Sequence, residues 1–201
     1  MPRRPRRKAE DTREEILSTA EHLFGERGIG HCSIAHVAQA LSMSPANVFK
    51  HFHSKIALVD AICQRKLDAM IRQIQTLDMN APAPHRLEIA ARRLMMAHIA
   101  SLQDSPYMLE MVFLLSGEDL ASGERYKTMI EELFLAVIRD GLEAGIYHCD
   151  NPVEMSQTVA AAFAAVLHPV FLAKQPLADL DRQCGNIVNL VNTALQNPLV
   201  K

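Results

Sequence analysis

Three observations predict an all-α protein. Helix-forming residues are plentiful and Trp is absent from the 201 residues, while 8 Gly and 10 Pro gather at a few breaks instead of spreading as they do in all-β chains. Apolar residues then recur every three or four positions between those breaks. At 49% hydrophobic and 22% charged, the chain can bury a real core and has the length of one domain or two small ones.

Composition also narrows the function classes. The start, MPRRPRRKAE, is basic but no apolar run follows it, and no later stretch approaches the roughly 20 apolar residues of a membrane span. A cytoplasmic location is expected. Cys32, Cys63, Cys149 and Cys184 are widely spaced and suit reduced thiols in packing roles better than a disulfide framework or zinc ribbon. The net charge of −2 conceals an asymmetry: residues 1–66 hold 11 Lys+Arg against 7 Asp+Glu, and residues 67–201 hold 10 against 16. A basic head on an acidic body points to a head that meets a polyanion.

The first helix is expected from Thr12, which stands three residues before Glu15 in a capping-box spacing. Ile16, Ala20, Leu23 and Phe24 share one face, and Gly28 is placed to end the helix. In CSIAHVAQALSMS, Ser33 can cap a short helix whose Ile34, Val37, Ala38 and Leu41 form one buried side, with Ala35, His36 and Gln39 outside. Ser42 and Met43 make a turn. Ser44 can cap the next stretch, SPANVFKHFHSK, with Pro45 at N1 where a missing N–H costs nothing. Two short helices joined by a tight turn are a candidate helix-turn-helix.

At 100° per residue, Val48 and Phe52 of the second short helix point inward together, Ala46, Asn47 and Lys50 point away, and Phe49 and His51 flank them. That outer face is small, polar and cationic. Asn can pair with an adenine edge, Lys can reach guanine or phosphate, and Ala lets the backbone come close. A metal site is the competing reading of the histidines. His51 and His53 are i, i+2 and do not share a helix face, and His148, Cys149 and Asp150 are consecutive, so no metal and no cofactor is expected.

Beyond residue 54 the pattern predicts long helices. Ser54 can cap one carrying Ile56, Val59, Ile62, Leu67 and Ile71 to about Leu77, which would tie head to body, and MNAPAP breaks it. Further helices are expected at about 85–103, 105–115 and 121–144, the last ending at Gly145. Asn151, Pro152 and Glu154 then form a helix start, and two helices, about 152–173 and 177–196, complete the chain. The first of these contains TVAAAFAAVLHPVF, apolar on nearly every side.

The run TREEILSTAEHLFGERGIGHCSIAHVAQALSMSPANVFKHFHSKIALVDAI resembles the DNA-binding domain of the tetracycline-repressor (TetR) family in helix order, spacing and apolar positions over about fifty residues. The resemblance implies a helix-turn-helix DNA-binding domain over 11–55, preceded by a basic arm over 1–10 and followed by a helical ligand-binding and dimerisation domain over 56–201. It implies a homodimeric transcriptional repressor, not an enzyme, whose short second helix enters the major groove of operator DNA. The last two helices would pair with those of a second subunit, and an unknown small-molecule effector would lie among the body helices. A family member without any effector stays open as the alternative.

The DNA contacts that follow are Ser33, Ser44, Pro45, Ala46, Asn47, Phe49, Lys50 and His51, with Lys55 on a phosphate. Arg3, Arg4, Arg6 and Arg7 of the arm are expected in the minor groove, as homeodomain-like arms are. For the effector pocket the candidates are Cys63, Met70, Met95, Met96, His98, Tyr107, Met108, Met111, Phe113 and Phe134. Three positions depart from the family's habit: Ser42 stands where the turn commonly has Gly, Phe49 where Tyr is usual, and Pro45-Ala46 where many members carry Lys, Gln or Gly.

Overall fold

A computed structural model describes residues 9–74, 81–116 and 120–197, with the backbone alone for residues 73 and 74. Among the described residues the elements are helices with no strand: α1 (Ala9–Arg27), α2 (Ile34–Ala40), α3 (Pro45–Phe49), α4 (Lys55–Ile74), α5 (Ala83–Asp104), α6 (Met108–Leu115), α7 (Ala121–Glu143), α8 (Pro152–Ala162), α9 (Ala164–Leu167), α10 (Pro169–Leu172) and α11 (Leu177–Gln196). They fall into two compact units. One, the head, takes the chain up to Lys66 together with Ser105–Ser122; the other, the body, is Leu67–Asp104 with Gly123–Lys201.

In the head, α1 begins three residues before the expected cap, so Thr12 lies inside the helix. Its C-terminus follows the sequence: Gly28 at φ +77 donates its N–H to the Phe24 carbonyl at 2.9 Å, a left-handed helix end that favours glycine. Ile16, Leu17, Ala20, Leu23 and Phe24 of α1 are buried with Val37 and Ala38 of α2 and with Val48 and Phe52. The turn after α2 bends as a glycine would. Met43 N–H donates to the Ala38 carbonyl (2.8 Å) and Ser42 N–H to that of Gln39 (3.0 Å), a Schellman end whose left-handed residue is Ser42 at φ +53. Ser42→Gly removes a side-chain clash there and loses some chain entropy, so a net gain of about 0.5–1 kcal/mol is expected in urea unfolding. A lower midpoint would show that Ser42 is relaxed.

The α6 segment belongs to the head. The Tyr107 and Phe24 rings meet edge to face at 5.9 Å between centroids, Lys66 Nζ lies 5.5 Å from the Tyr107 centroid, and Lys66 donates to Ser105 Oγ at 2.7 Å. Glu110 accepts the Gly30 N–H at 3.1 Å. Helix α6 starts at Met108 rather than 105, with Ser105 buried in the preceding turn.

The body has one core, drawn from α5, α7, α8 to α10 and α11, in which Leu87, Leu94, Phe134, Ile138, Phe163, Val166 and Cys184 are fully enclosed. The Phe134 and Phe163 rings stack at 5.2 Å. Helix α7 ends in a second Schellman motif, Ile146 N–H to Gly141 carbonyl and Gly145 N–H to Leu142 carbonyl, with Gly145 at φ +68. Tyr147 then folds back across Gly141, and its hydroxyl donates to Asn192 Oδ1 at 2.5 Å, while Asn192 donates to the Pro84 carbonyl at 3.1 Å.

The expected single helix over 152–173 is three. Asn151 caps its start through N–H bonds from Val153 and Glu154, as the sequence predicts. The chain then breaks at His168, which is extended at ψ 126, because the residue before a proline is driven out of the helical region by the ring of Pro169. His168 Nδ1 accepts the Val170 N–H at 3.3 Å and so caps α10.

Candidate nucleic-acid interface and body cleft

Helix α3 is five residues long, so its own hydrogen bonds cannot hold it in water. Packing does: Val48 and Phe52 are 0% and 3% exposed, and the Arg13 guanidinium lies 5.1 Å from the Phe52 ring centroid. The opposite side, Pro45, Ala46, Phe49 and Lys50, is exposed, with Asn47 and His51 half-buried beside it. Phe49 is 45% exposed, a large apolar ring left on a polar face.

Two expected roles take a different local form. Ser44 is the exposed N-cap residue but its side chain caps nothing; its carbonyl accepts the Asn47 N–H at 2.9 Å. Lys55 is half-buried and its ammonium donates to the Ile29 carbonyl, which ties the start of α4 to the α1–α2 turn. An ammonium has three donors, so two remain. Ser33 caps α2 as expected, in a reciprocal box with His36: His36 N–H donates to Ser33 Oγ and Ser33 N–H to His36 Nδ1, both 3.3 Å. The partner at N3 is a histidine where Glu or Gln is usual, so the box was not legible in the sequence. Asn47 Nδ2 meets Met43 Sδ at 3.5 Å. Arg3, Arg4, Arg6 and Arg7 lie outside the described residues.

The effector candidates are divided between the two units. Cys63, Tyr107, Met108, Met111 and Phe113 belong to the head, while Met70, Met95, Met96, His98 and Phe134 belong to the body. Burial raises the Cys63 thiol pKa, and burial with the nearby Glu21 carboxylate pushes Tyr107 to about 12. Phe113 and Met96 are exposed, and Met95 and Phe134 are enclosed core residues. His98 is the chemically distinctive member. It is 6% exposed, its Nε2 is 2.8 Å from the Tyr126 hydroxyl, and the rings meet edge to face. Burial, with the His168 charge adding to it, lowers its pKa to about 4, so the imidazole is neutral at pH 7. Burial likewise raises that of Tyr126. The sequence flagged His98 but neither Tyr126 nor His168, since nothing in their spacing marks them as its neighbours.

The body has a cleft of about 260 Å³, walled by Ile99 and Leu102 of α5, Leu172 of α10, and Leu177 and Leu180 of α11, with Gln103 and Gln175 as its polar lining residues. A second cleft, about 340 Å³, lies in the head at Arg13, His51, His53, Ser54 and Asp60. Among the described residues no group of three or more His, Cys, Asp or Glu could hold a metal ion, and no helix is long and apolar enough to cross a membrane.

Two family models match the chain. Residues 16–62 match the bacterial regulatory proteins of the tetR family, and residues 83–188, more than half of the chain, match the tetracyclin repressor-like C-terminal domain. The chain belongs to the TetR family. It is therefore a transcriptional regulator with an N-terminal helix-turn-helix that binds DNA, and the family is not one of enzymes. A TetR relative with similarity along much of its length is the HTH-type transcriptional repressor KstR2 of Rhodococcus jostii, 27% identical over 149 residues, 72% of each protein. The regulator TtgR of Pseudomonas putida is 32% identical over 62 residues, 31% of this chain and 30% of TtgR. Among solved structures, Thermus thermophilus FadR in complex with lauroyl-CoA superposes with a TM-score of 0.68 at 19% identity, covering 94% of this chain and 98% of FadR. A regulator from Saccharomonospora viridis in complex with choline gives 0.64 at 21%, covering 94% and 100%. At these identities the two structures show a shared fold.

Proposed function

We propose that this TetR-family regulator is a dimeric repressor that holds operator DNA through α3 of each subunit and releases it when a small molecule enters the body. The observation that carries the reading is α3 itself: a helix too short to be stable alone, held by Val48 and Phe52, with its small polar and cationic side left outward. Repression is supported by the KstR2 relative, and an effector by the lauroyl-CoA and choline complexes of structural relatives.

In this reading Asn47 reads a base edge, since the Met43 sulfur is a weak acceptor and the amide can leave it at little cost. Lys50, His51 and the free Ser44 hydroxyl meet bases or nearby phosphates, with Ser33, Pro45, Ala46 and Phe49 in contact with the backbone. Lys55 serves a phosphate with the donors left over from Ile29, and the arginines of the arm reach the minor groove. A second subunit would cover the outer sides of α8 and α11, where Val153, Leu177 and Leu190 are 46%, 52% and 69% exposed. Sedimentation at micromolar concentration tests that: a monomer removes the dimer.

The deciding experiment selects bound fragments from random DNA with the purified protein and then repeats it with variants. Asn47→Ala is expected to relax one base position by about 1–3 kcal/mol, whereas Lys55→Ala weakens all sequences alike. An unchanged Asn47→Ala motif would remove Asn47 from base reading.

A further inference from the structure

One peptide group in the head carries two charged partners. The Ile29 carbonyl accepts from the Lys55 ammonium at the start of α4, and the N–H of the same peptide group, that of Gly30, donates to Glu110 Oε2 of α6 at 3.1 Å. In a planar trans peptide these two groups point in opposite directions, so ammonium and carboxylate hold the Ile29–Gly30 unit from opposite edges. The carbonyl also accepts the Cys32 N–H at 3.2 Å, just ahead of the α2 cap at Ser33, which occupies its second lone pair. The carboxylate is seated as well as bonded. A Cβ on Gly28 would lie 2.9 Å from Glu110 Oε1 and 3.2 Å from Oε2, so the carboxylate lies against the bare Cα of that left-handed residue.

We propose, on the reading of Lys55 as a phosphate contact, that Glu110 is a positioning residue for operator binding: it fixes the Ile29–Gly30 peptide, whose carbonyl in turn aims the Lys55 ammonium at the DNA backbone. Ordering a free long side chain on binding weakens affinity by roughly twofold to tenfold. A lysine tied at one donor is ordered before the DNA arrives, with two donors left for the phosphate. The carboxylate on the N–H end also polarises the amide and makes its carbonyl a stronger acceptor for the ammonium. The sign of the effect separates this role from plain electrostatics. Glu110 is an exposed negative charge on a unit that binds a polyanion, so by charge alone its removal tightens binding. Acting through Lys55, its removal loosens binding.

The test measures DNA affinity of the full chain as a function of salt, on a fragment selected from random DNA and on an unrelated duplex. Glu110→Ala keeps a good helix former at an exposed position of α6, and Glu110→Leu is a second variant without an acceptor. Both are expected to weaken the two duplexes alike, about threefold or more, and to flatten the salt dependence as Lys55→Ala does. Glu110→Gln, which keeps an acceptor for Gly30 and removes the charge, should bind at least as tightly as the parent. In a Lys55→Ala background, Glu110→Ala should no longer weaken binding, because the group it positions is gone. A general loosening of the head would instead give losses that add. The proposal is overturned if Glu110→Ala and Glu110→Leu bind as tightly as the parent or tighter, or if the losses from Glu110→Ala and Lys55→Ala add. Unchanged affinity in Lys55→Ala fails the phosphate reading of Lys55 and takes the positioning role with it, whereas a Lys55 effect without a Glu110 effect removes Glu110 alone.

Discussion

Gly141→Ala should destabilise the body by about 3 kcal/mol, although it places the best helix former in the last turn of a long helix. A Cβ built on Gly141 would lie 2.1 Å from Tyr147 Cδ2 and 2.7 Å from its Cγ, and Tyr147 is 1% exposed. The gain from propensity is about 1 kcal/mol. Against it stand overpacking, typically 1–3 kcal/mol and sometimes more, and loss of the Tyr147–Asn192 hydrogen bond, roughly 1 kcal/mol. Clash wins. A double-mutant cycle separates the terms, because in a Tyr147→Ala background the same glycine substitution should become stabilising. If Gly141→Ala costs the same in both backgrounds, Tyr147 is not the reason a glycine stands there.

The second large effect is a loss of stability on mild acidification, traced to His98. Its folded pKa, about 4, lies below the ordinary 6.5 because burial disfavours the imidazolium and His168 adds to the penalty. The unfolded chain therefore binds a proton between those values that the native one refuses. Stability contributed by the neutral imidazole is present above pH 6.5, falls as pH drops through the window, and levels off below about 4. From pH 7 to pH 5 the loss is about 2 kcal/mol. Urea midpoints at the two pH values check this, with His98→Gln as the control that should flatten the dependence. Equal slopes for parent and variant would place the acid sensitivity elsewhere.

Much of the architecture was legible because it rests on local rules. Gly28 and Gly145 end helices where the spacing puts them, Asn151 and Ser33 cap as short polar residues do, and Val48 with Phe52 share a face by simple rotation. The misses come from tertiary context. The Thr12–Glu15 spacing suggested a cap, but α1 gains another turn before it. The apolar run through His168 reads as one helix by hydrophobicity, and the geometry imposed by Pro169 overrides it. Lys55 illustrates the site: its charge and position are visible in the sequence, but its bond to Ile29, 26 residues away, is not. Burial has the same character: of the adjacent Met95 and Met96 on α5, the first is enclosed and the second exposed.

With α3 as the base-reading helix, as proposed above, its brevity sets a limit on addressing. Five residues at 1.5 Å each lie along about two or three base-pair steps of 3.4 Å, and with four distinguishable pairs that distinguishes roughly 64 words. Two such helices reach about 4,000, against roughly a million or more competing positions in a genome. The shortfall is a matter of counting, whatever the strength of each contact. In the proposed dimer, most of the address would then be spelled outside α3, by the outer residues of α2, by the shape of the duplex between half-sites, and by the spacing at which two heads are held.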